Sequence, residues 1–491
     1  MDPLFSKYLL NKYLQITKYL TGENISFQNK RPMLKINILK VSSIILIVLQ
    51  ISCVQQKKRE NIIVASAGKV ESLDPAQANT LRTIQILSSL GDTLYRIDKE
   101  GNLTPVLAKG LPRVSTDGLS IDIQLKENIS FHDGNPFNAK AMKFSINRFI
   151  KIGTLNYLLN DKIKNIEVKD EYLLRIKLKK PSSSIKSLLT SVNLTPVSPN
   201  SYLNYKDNFN NKSFVGTGPY FLESFSSNQQ RIKPFPNYWG KKPLNKGIDF
   251  INYRNSSTLF GAIKTKEVDV LISNSIDDMQ RVALNNMVKK GKLNEGEGDP
   301  IQIGFITFKS STLPLANKKI REALSFTIDR ELISKQVSFG TRKPLRSIVP
   351  PHLNKNDFSP WPKYDPDIAR FLLKKEGYCA TNILTIPLTF RSNVPADKLV
   401  ALTWKDQIKR DLSDCINITL NGIESTTVYK QLSEGAFEAV ILDWTGSYQD
   451  PEAYLNPLLS CNEIKKNTCL SGEAVFSGSF WGNYELQELL D

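Results

Sequence analysis

The stretch LAKGLPRVSTDGLSIDIQLKENISFHDGNPFNAKAMKFSINRF, residues 107–149, combines two turns, a strand pattern and the start of a helix. Residues 119–125 alternate apolar and polar side chains, which is typical of a strand with one buried face. Asp117-Gly118 supplies the turn before this strand, and His132-Asp133-Gly134 forms the next turn. A helix is predicted to start at residues 138–140. The face of that helix expected to be buried carries Ala141, Phe144, Ser145 and Phe149.

Strand-like and helical runs alternate along the rest of the chain, which indicates a mixed α/β protein. The quoted stretch resembles the signature of family 5 solute-binding proteins, the peptide- and nickel-type receptors of ABC importers. One departure is Ala139-Lys140-Ala141, where the family usually has an acidic residue. Further motifs of the family stand in the expected order: Leu73-Asp74-Pro75-Ala76, Gly216-Thr217-Gly218-Pro219-Tyr220, Asn237-Tyr238-Trp239-Gly240, Ile320-Arg321-Glu322-Ala323-Leu324 with Ile328-Asp329-Arg330, and Tyr364-Asp365-Pro366 followed by Gly377-Tyr378.

The resemblance implies an α/β, two-lobed periplasmic-binding-protein-like fold of type II, in the large subclass that has an inserted subdomain. Residues 54–105 and 200–305 would form the first lobe, with residues 106–199 as its inserted subdomain. Residues 306–491 would form the second lobe. Family members continue beyond the point that matches Asp491 and return to the first lobe, so we expect that the C-terminal part of the fold is missing.

The N-terminal region has the pattern of an export signal. Val41–Ile51 is apolar, follows Lys35 and Lys40, and is too short to cross a bilayer, which needs about 20 residues. Ser52-Cys53 resembles the lipidation site of bacterial lipoproteins, although Gln50 departs from that pattern. We therefore predict a lipoprotein-type signal peptide at residues 33–53, with Cys53 as the lipid anchor; the alternative is an ordinary signal peptide. Met33 is the expected start, which makes residues 1–32 a non-native extension.

Composition favours a globular protein. The 491 residues are 41% hydrophobic and 23% charged, and the formal net charge is +17. The basic residues are dispersed, with no basic run longer than Lys57-Lys58-Arg59. This pattern indicates a solvated basic surface, and we expect no nucleic-acid partner.

Four cysteines remain beside Cys53, an even number that suggests disulfides in an exported protein. Cys379 and Cys415 each precede a predicted strand, and neighbouring parallel strands would bring them together. Cys461 and Cys469 flank a polar loop. We predict the pairs Cys379–Cys415 and Cys461–Cys469, one of three possible pairings, over a zinc site that no nearby histidine supports.

Known catalytic motifs are absent from the sequence. The two histidines, His132 and His352, lie in separate predicted loops, and no zinc-hydrolase, nucleophile-elbow or phosphate-loop motif occurs. We expect a structural role for His132, no enzyme activity, no cofactor and no metal.

The segment AVILDWTGSYQDP, residues 439–451, is the best candidate for a ligand site. It is a buried strand followed by a loop, and ligands of α/β folds collect at the carboxyl ends of strands. In peptide receptors of the family, the aspartate of the matching loop receives the α-amino group of the peptide, which implies this role for Asp450. The alternative is that Asp450 only caps the next helix. Trp444 would line the cleft or belong to the core.

Arg391 follows another predicted strand and resembles an arginine of dipeptide receptors that pairs with the ligand carboxylate. A surface arginine is the alternative. The resemblance thus implies a monomeric, exported protein that binds small peptides between two lobes and delivers them to ABC permease transmembrane subunits. It would act in the periplasm or on the outer face of the membrane, held there by its lipid anchor. The alternatives are a nickel-chelate, haem-like or sugar ligand, a signalling role, a cell-envelope hydrolase, or a truncated non-functional remnant.

Overall fold

The computed structural model describes residues 59–490 except 68–69, 71, 79, 99, 273–275 and 355–358. The predicted extension (residues 1–32), the predicted signal peptide (residues 33–53) and the candidate lipid anchor Cys53 lie outside the described residues. In the described part of the chain, no helix is both long and apolar enough to cross a membrane.

The first lobe is built on a five-stranded sheet of order β11-β1-β10-β9-β8. Strand β1 runs parallel to β10 and β11, whereas β9 runs antiparallel to β10 and β8. Alternation along β1 sends Val64 to one face of the sheet and Ala65 to the other. Helix α1 covers the first face and helix α6 the second. The strands are β1 (Ile62–Ala67), β8 (Tyr220–Phe225), β9 (Gln229–Pro234), β10 (Ile248–Tyr253) and β11 (Val270–Leu271), and the helices are α1 (Leu81–Leu90), α6 (Ser256–Lys264) and α7 (Asp278–Lys289).

An inserted subdomain contains a second, antiparallel sheet of order β4-β5-β7-β6, and helix α2 packs on its strands β6 and β7. The strand predicted at residues 119–125 is confirmed as β5, and Gly118 in the turn before it has a φ of +70°. The predicted helix start is also confirmed, because the Asn138 side chain accepts a hydrogen bond from the Ala141 N–H group. Its elements are β4 (Arg113–Val114), β5 (Ser120–Gln124), α2 (Ala139–Ile152), α3 (Tyr157–Asn160), β6 (Ile163–Asp170), β7 (Leu173–Leu178), α4 (Ile185–Leu188) and α5 (Pro199–Tyr202); a small hairpin, β2 (Tyr95–Ile97) with β3 (Leu103–Pro105), precedes them.

The second lobe is built on a four-stranded sheet of order β12-β15-β13-β14. Strand β13 runs parallel to β14 and β15, and β12 runs antiparallel to β15. This sheet begins at Gln302, slightly before residue 306, from which we expected the second lobe. Trp404 of helix α11 is fully buried against one face, and its indole N–H group donates to the Thr327 hydroxyl. The strands are β12 (Gln302–Phe308), β13 (Leu384–Arg391), β14 (Ile416–Ile423) and β15 (Ala439–Thr445), and the helices are α8 (Lys318–Phe326), α9 (Arg330–Ser338), α10 (Pro366–Lys375), α11 (Pro395–Asp411) and α12 (Ser425–Leu432).

The C-terminal part of the second lobe consists of short elements held by a disulfide. Cys461 and Cys469 are bonded across the hairpin of β16 and β17. A second disulfide joins Cys379 to Cys415, just before the parallel strands β13 and β14. Both pairs are those proposed from the sequence. The remaining elements are α13 (Glu452–Leu459), β16 (Glu463–Lys465), β17 (Thr468–Ser471), α14 (Glu473–Phe476) and α15 (Tyr484–Leu490).

A buried ion pair ties the inserted subdomain to the start of the first lobe. Asp74 is fully buried and accepts two parallel hydrogen bonds, of 2.8 and 2.5 Å, from the guanidinium of Arg148. The Asp74 carboxylate also accepts from the backbone N–H groups of Ala76 and Asn210. A buried carboxylate is stable only when a cation and hydrogen-bond donors surround it, as they do here. The motif that contains Asp74, residues 73–76, therefore has a structural role.

His132 connects two of the sequence motifs. Its Nε2 atom lies 3.0 Å from the carbonyl oxygen of Gly218, and its Nδ1 atom lies 3.4 Å from the backbone nitrogen of Gly216. Burial lowers the pKa of His132 to about 4, so its imidazole is neutral at pH 7. These contacts support the expected structural role.

Candidate ligand-binding site

The carboxyl ends of two parallel strands define one edge of the second-lobe sheet. Strand β13 ends at Arg391 and strand β15 ends at Thr445. Because the two strands are parallel neighbours, their last residues lie at the same edge. Residues 446–451, here called the β15 loop, connect this edge to helix α13. The three candidate ligand residues therefore lie on or next to one edge of the sheet.

Asp450 uses its two carboxylate oxygens differently. Oδ1 accepts a hydrogen bond of 3.0 Å from the Glu452 N–H group in the first turn of α13. Oδ2 accepts a hydrogen bond of 3.1 Å from the hydroxyl of Ser187, which belongs to the inserted subdomain. Asp450 takes part in none of the ion pairs found between described residues. The carboxylate is thus half-buried between the lobes with two neutral donors.

Polar contacts extend this interface on both sides of Asp450. Lys162 of the inserted subdomain donates a hydrogen bond of 2.5 Å to Glu452. Tyr448 in the β15 loop is buried, and Ser184 of the inserted subdomain lies near its hydroxyl. Burial raises the pKa of Tyr448 above its ordinary value, and the carboxylates of Glu452 and Asp450 raise it further. The phenol is therefore neutral at physiological pH.

Apolar packing joins the β15 loop and helix α13 to the inserted subdomain. One continuous core contains side chains from both parts of the chain. The Tyr454 hydroxyl also donates to the Ile301 carbonyl oxygen, at the start of the second lobe, over 2.6 Å. The side chains of this shared core include Tyr448, Ala453, Tyr454 and Leu458 from the second lobe and Leu158, Leu159, Ile163 and Leu188 from the inserted subdomain.

Trp444 is partly buried and packs against the same core. Its indole N–H group donates a hydrogen bond of 2.8 Å to the carbonyl oxygen of Ala453. This bond fixes the ring between the end of β15 and helix α13. Trp444 thus has a packing role, and its exposed part borders the β15 loop.

Arg391 is buried, with 4% of its side chain exposed, and lies between two carboxylates. Its Nε and Nη2 atoms donate to Asp397 over 2.7 and 3.1 Å. Nη2 also donates to Asp443 over 2.8 Å, and Nη1 donates to the Tyr429 hydroxyl over 2.6 Å. Burial alone would lower the pKa of Arg391, but the hydrogen bonds from its guanidinium to Asp397 and Asp443 outweigh burial and raise it. The guanidinium is permanently charged.

The structure pairs Arg391 with Asp443 and, separately, Asp450 with Ser187. No hydrogen bond between described residues joins the Arg391–Asp443 pair to the Asp450–Ser187 pair. Asp443 was not singled out from the sequence, although a carboxylate next to the apolar run of residues 439–442 is a usable signal. Ser187 and Lys162 carried no such signal, because each is more than 260 residues from its partner.

No group of three or more His, Cys, Asp or Glu side chains among the described residues is arranged to hold a metal ion. His352 lies in a loop of the second lobe, and its two ring nitrogens are buried with no hydrogen-bond partner among the described residues. The described site therefore consists of carboxylates, one guanidinium, hydroxyls and aromatic rings. Groups of these kinds can form charge-assisted hydrogen bonds with a charged solute.

The sequence from residue 102 to residue 466 matches the family described as bacterial extracellular solute-binding proteins, family 5 middle. The chain belongs to this family. Its members are the solute-binding components of ABC transporters, and the two-lobed α/β architecture is that of the family 5 fold. The family is extracellular, and its characterised relatives are named for binding rather than for catalysis.

Among curated proteins, this family 5 chain is 27% identical over 440 residues to the glutathione-binding protein GsiB of Escherichia coli O6:K15:H31 (strain 536 / UPEC). The alignment covers 88% of this chain and 82% of GsiB.

Solved structures with the same fold include a dipeptide-binding protein from Pseudoalteromonas sp. SM9913 in complex with Met-Leu. It is 24% identical, with a TM-score of 0.70, over 88% of this chain and 87% of that chain. NikA from Brucella suis in complex with Fe(III)-EDTA is 21% identical, with a TM-score of 0.73, over 81% of this chain and 82% of that chain. One fold therefore accommodates both a dipeptide and a metal chelate, so the ligand class depends on the site residues.

Proposed function

We propose that this protein binds a small peptide between its two lobes and delivers it to the permease of an ABC importer. Asp450 carries this proposal. Its carboxylate lies between helix α13 and the inserted subdomain, where its two hydrogen-bond donors are neutral. The names of the relatives, which include a glutathione-binding and a dipeptide-binding protein, support a peptide-like ligand.

The chemistry of an α-ammonium group suits the position of Asp450. A cation enclosed between two lobes loses water and needs a charged hydrogen-bond acceptor in return. The Ser187 hydroxyl bonded to Oδ2 is the group that the ammonium would displace or share. Oδ1 would continue to accept from the first turn of helix α13, so Asp450 serves both alternatives considered from the sequence.

Two further residues complete the proposed site. Arg391 offers its charge to the ligand carboxylate from the same edge of the sheet. Trp444, fixed by its hydrogen bond to Ala453, provides an aromatic wall beside the β15 loop. Ligand binding would favour a closed arrangement of the lobes that the permease transmembrane subunits recognise.

The remaining features of the proposal concern location and assembly. Cys53 would hold the protein on the outer face of a membrane through its lipid chains. Two disulfides agree with an oxidising compartment such as the periplasm. We further propose a monomer without nucleic-acid partners and without covalent chemistry.

Isothermal titration of the purified full chain with dipeptides, tripeptides and glutathione tests the proposal. Asp450→Asn removes the charge but retains an oxygen that can cap the helix. We expect it to weaken binding of peptides with a free α-amino group by about 2 kcal/mol or more, roughly thirtyfold in Kd. N-acetylated peptides should bind weakly to both proteins.

Asp365→Asn is the matched control. Asp365 also precedes a proline at a helix start, and its side chain accepts from the N–H groups of Asp367 and Ile368. This variant should leave peptide affinity unchanged. Binding of a nickel–histidine complex with no response to any peptide would contradict the proposal and identify a metal-chelate receptor instead.

A further inference from the structure

The guanidinium of Arg391 has two edges that can hold a carboxylate, and its neighbours use them differently. The Nε–Nη2 edge holds the carboxylate of Asp397 through two hydrogen bonds of 2.7 and 3.1 Å. The side chain of Asp397 is 8% exposed and lies in the first turn of helix α11. This inner edge is therefore permanently occupied.

The outer edge, Nη1–Nη2, is shared by two residues. Nη2 donates to Asp443 over 2.8 Å and Nη1 donates to the Tyr429 hydroxyl over 2.6 Å. Both partners are more accessible than Asp397: the side chain of Asp443 is 35% exposed, and Tyr429 is 51% exposed. Nη1 and Nη2 thus each donate to one oxygen, which comes from Tyr429 in one case and from Asp443 in the other. The two oxygens of a single carboxylate could accept both of these hydrogen bonds in a bidentate pair.

Electrostatic repulsion makes it unfavourable for Asp443 and a ligand carboxylate to occupy the outer edge of Arg391 at the same time. One guanidinium already faces the carboxylates of Asp397 and Asp443. A third carboxylate at the outer edge would lie within a few ångströms of Asp443 in a partly desolvated place, where like charges repel strongly. A ligand carboxylate therefore has to displace Asp443 from Arg391.

The strand opposite Asp443 leaves room for that displacement. Gly304 of β12 is the register partner of Asp443 and is exposed. A Cβ atom built on Gly304 would meet no atom closer than the Leu442 carbonyl oxygen at 4.0 Å. The space beside the Asp443 side chain is thus open.

We infer that Asp443 determines the charge selectivity of the ligand site by occupying the outer edge of Arg391 in place of a ligand carboxylate. This inference rests on the proposed function, because it specifies how the proposed peptide site treats the C-terminus of its ligand. Peptides with a free C-terminal carboxylate compete with Asp443 for the guanidinium, whereas C-terminally amidated peptides do not.

Asp443→Asn tests the inference with little structural change, because the amide oxygen still accepts from Nη2 and only the negative charge is lost. We measure by titration calorimetry the affinities of Ala-Leu and Ala-Leu amide for the native full chain and the variant. The variant should bind the free acid on the order of tenfold more tightly while its affinity for the amide stays unchanged. We compare the ratio of the affinity for the free acid to the affinity for the amide. Tyr429→Phe, at an exposed position, should also raise this ratio, but by less than Asp443→Asn does.

The control is Asp122→Asn in the inserted subdomain, which neutralises a comparable bidentate partner of Arg175, bonded over 2.6 and 2.7 Å. It should leave the acid-to-amide ratio at the native value. If the native chain binds both peptides and Asp443→Asn leaves the ratio of acid affinity to amide affinity unchanged or lowered, the role of Asp443 is overturned and the proposed function stays intact. No binding of either peptide to the native chain or to any variant overturns both.

Discussion

Lys162 of the inserted subdomain donates a hydrogen bond of 2.5 Å to Glu452, the first residue of helix α13 in the second lobe. The two side chains are only 20% and 18% exposed. Glu452 also accepts from the Asn456 side chain and lies at a helix N-terminus, where a negative charge is favourable. This ion pair stabilises the contact between the lobes beside Asp450.

Loss of this pair should destabilise the protein measurably. Lys162→Met keeps the aliphatic stem but leaves Glu452 without its cation in a poorly solvated place. We expect the free energy of unfolding to fall by about 1–3 kcal/mol, less than for a fully buried pair. Urea denaturation followed by tryptophan fluorescence measures this change.

Lys246→Met provides the comparison. Lys246 pairs with Glu60 over 3.0 Å, but the two side chains are 69% and 67% exposed. Exposed pairs contribute about 0–1 kcal/mol, so this variant should unfold close to the native midpoint. Equal destabilisation by the two substitutions would argue against a role for burial at the Lys162–Glu452 contact.

His132 should make stability depend on pH in the acidic range. Burial lowers its pKa in the folded protein to about 4, below the value of 6.5 expected for the unfolded chain. Between pH 6.5 and pH 4 the unfolded state binds more protons, so the free energy of unfolding falls as the pH falls. The loss from this one group approaches about 3 kcal/mol at pH 4 and is absent above pH 7.

Denaturation midpoints at pH 7.5 and pH 4.5 check the contribution of His132. The native protein should lose more stability over this interval than His132→Gln, whose amide does not titrate. Parallel losses in the two proteins would show that other groups, and not the imidazole of His132, cause the acid sensitivity.

The two disulfides should contribute unequally to stability. The Cys379–Cys415 bond spans 36 residues and the Cys461–Cys469 bond spans 8. On the chain-entropy account, closing the longer loop stabilises the fold by about 4 kcal/mol and closing the shorter loop by about 2.5 kcal/mol. Thermal unfolding of the double variants Cys379→Ser/Cys415→Ser and Cys461→Ser/Cys469→Ser should show the larger decrease in Tm for the first. The reverse order would contradict the loop-entropy explanation.

Local sequence patterns predicted the elements whose stabilising contacts are local. Alternation at residues 119–125 identified strand β5, and Asn138 was placed correctly at the start of helix α2. A strand predicted at residues 439–442 is present and extends to Thr445. These predictions succeeded because side-chain periodicity and helix capping act over a few residues.

Local sequence patterns predicted only part of the candidate ligand-binding site. A position in a strand-end loop and the resemblance to peptide receptors pointed to Asp450, but its hydrogen bond to Ser187 joins residues 263 positions apart. Arg391 was singled out because it follows a predicted strand and resembles an arginine of dipeptide receptors. Its contacts with Asp443 and Tyr429 depend on the packing of β15 and α12 beside it.

The sequence by itself determined the family, the order of strands and helices and the cysteines available for disulfides, because motifs and periodic patterns reside in consecutive residues. Only the tertiary structure decided which groups share the interface between the lobes. There it joined Asp450 to Ser187 and Glu452 to Lys162. Within the second lobe it also joined Arg391 to Asp443. The physical reason is that pairing of partly buried charges depends on distances of about 3 Å across the fold, and separation along the chain carries no information about such distances.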